Sequence, residues 1–214
     1  GNVHPQASFV DVRYQDFIRS AAVTAPVLAE ARSLGVGRAI REAVSVTRRA
    51  VGRNTNLGII LLIAPLAAVD PKQALPVGIE NVLDKLTIED AEQCYAAIRE
   101  AQPGGLGTVE NGDIAHTATL TLRDSMRLAA HRDQIAAQYA NGFRDVLERG
   151  VKWLDATDSS PLDSRSFERQ LITLHLRLMA DLPDTLIARK CGVEIANESA
   201  QKARRALELG GLES

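Results

Sequence analysis

The 214 residues carry a formal net charge of −2, with 24% charged, 45% hydrophobic and only 4% aromatic side chains. That balance excludes a polybasic binder of nucleic acid or membrane surfaces, so any site for a polyanion has to be local. Cys94 and Cys191, the only cysteines, are far apart and lack metal-type spacing, which predicts two free thiols in a reducing, cytoplasmic setting.

Apolar residues recur three and four apart almost everywhere and period-two alternation is nearly absent. The pattern predicts an all-α chain, a single compact multi-helix domain over residues 1–214 with no sheet of three or more strands. The start, Gly1-Asn2-Val3-His4-Pro5, reads as the middle of a motif and points to truncation at the N-terminus. A first helix is expected after Asp11, burying Tyr14, Phe17, Ile18, Ala21, Ala25 and Leu28, with Pro26 bending or interrupting it. Gly35 and Gly37 mark a break. A second helix follows with Val36, Ile40, Ala43, Val44, Thr47 and Val51 on one side, and Gly52 ends it.

Asn54 or Thr55 is suited to cap the apolar run over 57–69, which contains Gly58 and Pro65 and is well short of the ~20 residues of a membrane span. It reads as a core helix. Further helices are expected over 75–86 and 88–100, the latter opened by Thr87 and Asp90 as a capping box. Residues 102–119 are dense in turn formers and read as loop. Thr121 and Asp124 repeat the box before a long helix with the stripe Leu122, Met126, Ala129, Asp133, Ala136, Ala140 and Phe143. After a loop over 157–163, a helix with Phe167, Leu171, Leu174 and Leu178 at core spacing runs to Pro183, and His175 shares a face with Ile172 and Met179 as a hydrogen-bonded core histidine. The last helix, over 193–209, stops at Gly210-Gly211.

Four places could carry chemistry. The turn Gly52-Arg53-Asn54-Thr55-Asn56-Leu57-Gly58 sets free amides of a helix start beside Arg48, Arg49 and Arg53, which suits phosphate. The same residues also serve ordinary capping. Asp184-Thr185, followed by Arg189-Lys190, can hold Mg²⁺ and phosphate together, or be an N-capped short helix with cations near its end. Asp133 interrupts an apolar stripe, and a buried carboxylate must be paired, metal-bound or neutralised. His4, in a loop beside Asn2, faces a ligand. No Walker A sequence, dinucleotide fingerprint, His-Glu-x-x-His or Cys-x-x-Cys is present.

In order, Gly1-Asn2-Val3-His4, Asp11 before Tyr14-x-x-Phe17-x-x-Ser20-Ala21, Asn54-Thr55-x-x-Gly58, Leu178-Met179-Ala180 and Asp184-Thr185 resemble the triphosphoribosyl-dephospho-CoA synthase family, in a divergent shorter branch. Departures are Ser8-Phe9-Val10 where a histidine is usual, Leu57 at an often basic position, Leu186 and Cys191 for Asn and Gly, and Gly104-Gly105-Leu106-Gly107 in place of a central Arg-Gly-Glu. The resemblance implies an all-helical fold and transfer of the 5-triphosphoribosyl group of ATP to the 2′-hydroxyl of 3′-dephospho-CoA with release of adenine. It implies ATP as substrate, Mg²⁺ as the cation and a dephospho-CoA-like partner, with no nucleic acid and no membrane; a homo-oligomer is compatible with it. By the same resemblance, phosphate falls to Arg53, Asn54, Thr55, Asn56, Gly58, Arg189 and Lys190, and the metal to Asp11 and Asp184. Asp133 serves metal or acceptor activation, while His4 and Asn2 line the ribose or base. Asp11, Asp133 and Asp184 are expected to converge with the turn in one cleft. The alternatives are a same-fold transferase in another cofactor pathway, such as that of methanopterin-type one-carbon cofactors, and a non-catalytic nucleotide-binding relative.

Overall fold

The computed structural model describes residues 12–103, 113–155 and 164–211, the side chains of 155, 164 and 165 excepted. Among them there is no strand. The chain divides into two compact units, Gly1–His131 with Ile135–Gly142, and Arg132–Gln134 with Phe143–Ser214.

The first unit opens with α1 (Tyr14–Ala29), which runs on past Pro26 and gives up one amide donor rather than ending there. Its inner line differs from the expected apolar stripe. Ser20, Thr24 and Leu28 are buried, whereas Ala21, Ala25 and Ile18 are exposed. Local satisfaction makes this burial tolerable: Ser20 Oγ donates to Asp16 O at 2.6 Å and Thr24 Oγ1 to Ser20 O at 2.8 Å. Hydroxyls that bond the preceding turn can enter a core without an orphaned proton.

After the single turn α2 (Ala31–Leu34), Gly35 takes φ +84° and leads into α3 (Val36–Val51). Gly37 is not part of the break. It lies inside α3, where its amide donates to Asp90 Oδ1 at 2.8 Å and an added Cβ would stand 2.5 Å from Asp90 Cα. α3 buries Val36, Ala39, Ile40, Ala43, Val44 and Thr47, close to the face expected, and packs against α1 and α6 (Ile88–Ala101). Gly52 ends it in the left-handed conformation that only glycine adopts at little cost.

The apolar run forms α4 (Leu57–Ala67), which buries Leu57, Ile60, Leu61 and Ala64 but leaves Ile59 and Ile63 exposed. α5 (Leu75–Asp84) follows, and α6 opens with the expected Thr87–Asp90 capping box. Thr121 likewise accepts from Asp124 N at the start of α7 (Leu122–Ala129). Arg123 of α7 is buried, donating to Glu80 at 2.7 Å and also to Asp84 on the same face of α5. Tyr139 of α8 (Gln134–Asn141), fully buried, donates its hydroxyl to Leu61 O at 2.6 Å, and burial holds its pKa well above the usual value.

The long helix expected after Thr121 is thus two helices, α7 and α8, with a turn between them. Asp133 sits in that turn, immediately before α8, and its side chain keeps 34% of its surface exposed. It does not interrupt a buried stripe.

In the second unit a π-helical turn, Asp145–Gly150, leads into α9 (Val151–Asp155), and Arg149 lies 5.8 Å from the Trp153 ring centroid. Then come α10 (Ser164–Asp181), α11 (Thr185–Cys191) and α12 (Val193–Glu208), with both α10 and α11 packed on α12. The core stripe expected for α10 is not buried: Phe167, Leu171 and Ile172 are exposed, and of its described side chains only Ala180 is buried. His175 is exposed as well, although partial burial still lowers its pKa. α12 packs instead through alanines, Ala196, Ala200 and Ala203. The loop expected over 157–163 lies outside the described residues.

Candidate functional site

The turn between α3 and α4 starts from two helix ends. α3 terminates at Gly52, whose amide bonds Arg48 O at 2.8 Å, and four residues later α4 begins. Asn54 Oδ1 accepts from Leu57 N at 3.1 Å, so the capping expected of Asn54 or Thr55 falls to Asn54. Its Nδ2 has no partner among the described residues and the side chain is exposed. Among those residues nothing accepts from the amides of Gly58 and Ile59. Asn56 is buried and its carbonyl accepts from Ile60 N at 2.9 Å. Arg53 is exposed and makes no ion pair among the described residues.

Thr55 is bound differently. Its Oγ1 lies 2.5 Å from Ser20 Oγ, and Ser20 is fully buried. Because the Ser20 proton is directed at Asp16 O, the Thr55 proton supplies this second bond. Thr55 therefore anchors the turn to α1, and its hydroxyl keeps only lone pairs outward, which a phosphate oxygen cannot use. Sequence reasoning had no signal for this link beyond the presence of Ser20 in the early motif.

A shallow depression adjoins the turn, lined by Thr47, Arg48, Arg53, Asn54, Asn56 and Leu57 among others, with no carboxylate in its wall. Here too the sequence reading missed a residue: Thr47 looked like one more member of an apolar stripe, while its Oγ1 is buried and has no hydrogen-bond partner among the described residues.

In the second unit Asp184 caps α11 through one oxygen, Oδ1, which accepts from Leu186 N at 2.7 Å and Ile187 N at 3.1 Å. Thr185 Oγ1 accepts from Gln134 N at 3.1 Å. The Asp133 carboxylate faces Arg189 at 3.9 Å, while Lys190 is exposed. The capped-helix reading thus describes Asp184, and the ion-pair reading describes Asp133. Asn2, His4 and Asp11 lie outside the described residues. Among the described residues no group of three His, Cys, Asp or Glu could hold a metal ion. Asp184 Oδ2 remains, and a hard cation held mostly by phosphate and water needs only one or two protein carboxylates. No described helix is long and apolar enough to cross a membrane.

Among the described residues the chain is a helical protein with an arginine-flanked turn at a helix start, a class distinct from strand-based phosphate folds. Its whole length, residues 1–214, matches the family model for CitG, ATP:dephospho-CoA triphosphoribosyl transferase. The chain belongs to that family. It is similar in fold to a crystal structure from Archaeoglobus fulgidus provisionally named a triphosphoribosyl-dephospho-CoA synthase, at 22% identity and a TM-score of 0.73 over 91% of this chain and 82% of that one. No curated protein sequence matches this chain.

Proposed function

We propose that this chain transfers the 5-triphosphoribosyl group of ATP to the 2′-hydroxyl of 3′-dephospho-CoA and releases adenine. The family match supports the reaction class, and the observation that carries the site is the turn after Gly52. There two arginines, a free carboxamide donor and two open amides of α4 border a surface without a carboxylate. Such a set of donors suits an acceptor-only polyanion.

In the reaction the bond from ribose C1′ to adenine N9 breaks and a bond from C1′ to the acceptor oxygen forms. The departing adenine takes the bonding electron pair, and the hydroxyl proton balances its charge. Positive charge develops on the ribose as the base leaves, so rate depends on holding the triphosphate still and presenting the hydroxyl on the opposite side. Arg53, Asn54 and the Gly58 amide serve the triphosphate, with Asn56 closing the turn beneath them and Thr55 fixing it to α1. In the second unit Lys190 and Arg189 offer further cations and Asp133 holds Arg189 in place. Asp184 would hold Mg²⁺ through its second carboxylate oxygen, and the cation when bound neutralises phosphate charge; the family resemblance gives Asp11 a metal role as well. His4 and Asn2 line the ribose or base.

The test is adenine release. Incubation with ATP, Mg²⁺ and dephospho-CoA should yield free adenine and a triphosphate-bearing product by chromatography. Adenine appearing only with another hydroxyl acceptor would transfer the reaction to a different cofactor pathway, and none with any acceptor would make the chain a nucleotide-binding relative without catalysis.

A further inference from the structure

The turn after Gly52 is held by bonds of two kinds. Gly52 N donates to Arg48 O at 2.8 Å and Leu57 N to Asn54 Oδ1 at 3.1 Å, so α3 and α4 close its two ends over a few residues of chain. Those local bonds give the turn its shape. The other kind is the 2.5 Å contact of Thr55 Oγ1 with Ser20 Oγ on α1. Among the described residues no other hydrogen bond ties residues 53–56 to a helix outside α3 and α4, so the polar link between the turn and α1 falls to this one.

Ser20 is 0% exposed, and its hydroxyl is used in two directions, donating to Asp16 O at 2.6 Å and accepting from Thr55. Thr24, one turn further along the same buried line, spends its hydroxyl wholly within α1, on Ser20 O at 2.8 Å and Ala21 O at 3.3 Å. Of these two buried hydroxyls only that of Ser20 reaches another element. At its other end the connection enters the first turn of α1, where Asp16 Oδ2 accepts from Arg13 N at 3.0 Å. Arg13 stands two residues after Asp11 in the chain, and the family resemblance gives Asp11 a metal role. The hydroxyl pair therefore joins the turn offered to phosphate with the start of the helix that follows Asp11 in sequence.

We infer that Ser20 is a positioning residue for the transfer: through Thr55 it sets the α3–α4 turn against the start of α1, keeping the triphosphate in register with the segment that carries Asp11. Ser20 has no exposed surface and touches no ligand itself. The inference rests on the turn being the triphosphate site and adds the residue that places it. Placement matters because a displacement of about 1 Å at the reacting groups can lower a rate roughly hundredfold.

The test compares Ser20→Ala and Thr55→Val, which each delete the bond, with Thr55→Ser, which keeps the hydroxyl, and Thr24→Val, which removes a buried hydroxyl of α1 that does not reach the turn. All are measured on the full chain at a temperature where melts show it folded. In adenine release Ser20→Ala and Thr55→Val should each lose roughly ten- to hundredfold in kcat with little change in KM for ATP. The double variant should lose no more than the worse single one, because both remove the same bond. Thr55→Ser should restore the rate, and Thr24→Val should leave kcat unchanged whatever it does to the Tm. Calorimetric titration with ATP gives a reading without turnover: the gain in affinity on adding Mg²⁺ should shrink in Ser20→Ala and Thr55→Val and persist in Thr24→Val. Additive losses in the double variant, a Thr55→Ser chain as slow as Thr55→Val, or an equal loss in Thr24→Val would overturn the inference and leave the bond a structural tie. Adenine release equal in the wild type and Ser20→Ala would remove Ser20 from the reaction and leave the transferase reading standing. No adenine from the wild type would sink that reading, and calorimetry then decides. A Mg²⁺ gain lost in Ser20→Ala keeps Ser20 as the residue that places the turn, whereas an unchanged gain, or a wild type without one, overturns the inference.

Discussion

Asn54 is where capping and ligand binding can be separated. Its Oδ1 accepts from Leu57 N at 3.1 Å, and its Nδ2 is unengaged among the described residues. Replacing it with Asp keeps an acceptor for the Leu57 amide and places a negative charge at a helix start, which is worth about 0.3–1 kcal/mol in favour of the fold. The same replacement deletes the Nδ2 donor, costing about 1.5–3 kcal/mol for a hydrogen bond to a charged group. It also adds a like charge about 4 Å from the nearest phosphate oxygen, another ~1 kcal/mol even at the dielectric of water. Asn54→Asp should thus melt at or above the wild-type temperature and bind ATP about a hundredfold or more weakly. Asn54→Ala should lose both, about 1 kcal/mol of stability and a smaller share of affinity. Calorimetric titration with ATP and Mg²⁺, paired with thermal melts of the same samples, reads both quantities. An Asn54→Asp chain that binds ATP as the wild type does, beside an Asn54→Ala chain that is merely less stable, would refute the ligand role and return the turn to ordinary capping.

Gly37→Ala should be strongly destabilising, because its Cβ would meet Asp90 backbone at 2.5 Å and displace the Gly37 amide from Asp90 Oδ1; urea melts should show a loss of about 1–3 kcal/mol, and an unchanged midpoint would contradict the close approach of α3 and α6. Iodoacetamide on the native chain should modify Cys191, which is exposed, and spare Cys94, whose thiol is fully buried and pushed up to about 12 by burial and by Asp90. Mass spectrometry should find one adduct natively and two in denaturant, whereas rapid native labelling of Cys94 would argue against its burial. His175, lowered by partial burial, is neutral over a wider pH range folded than unfolded. Its contribution is therefore complete above the unfolded value near 6.5 and is lost as pH falls through the lower folded value. The Tm drop between about pH 7.5 and about pH 5.5 should be smaller in His175→Gln than in the wild type, and equal drops would assign the acid sensitivity to other groups.

Sequence alone determined the secondary structure wherever the deciding interaction is local. A Thr87 hydroxyl and an Asp90 carboxylate three residues apart satisfy each other's end of α6, and Gly52 closes α3 because no neighbour in space is needed to make its left-handed conformation affordable. The all-helical class followed from the same short-range periodicity, and the order of motifs along the chain was enough to suggest the family that the full-length match shows. Tertiary structure alone decided which polar groups are spent and which remain available. The packing of α3 and α4 on α1 decides that Ser20, Thr24 and Leu28 face inward and Ile18 outward, and the local bonds of the two hydroxyls only make that burial tolerable. Phe167 and Leu171 stay exposed although their spacing is that of a core stripe, because which face of α10 is covered depends on the partner helix and not on α10 alone. Asp133 lost its standing as a buried carboxylate once α7 and α8 proved to be separate helices. At the turn, a sequence shows Thr47 and Thr55 as equivalent hydroxyls. Only the fold spends the Thr55 proton on Ser20, thirty-five residues away, and leaves that of Thr47 without a partner among the described residues, because hydrogen-bond satisfaction is a property of neighbours in space.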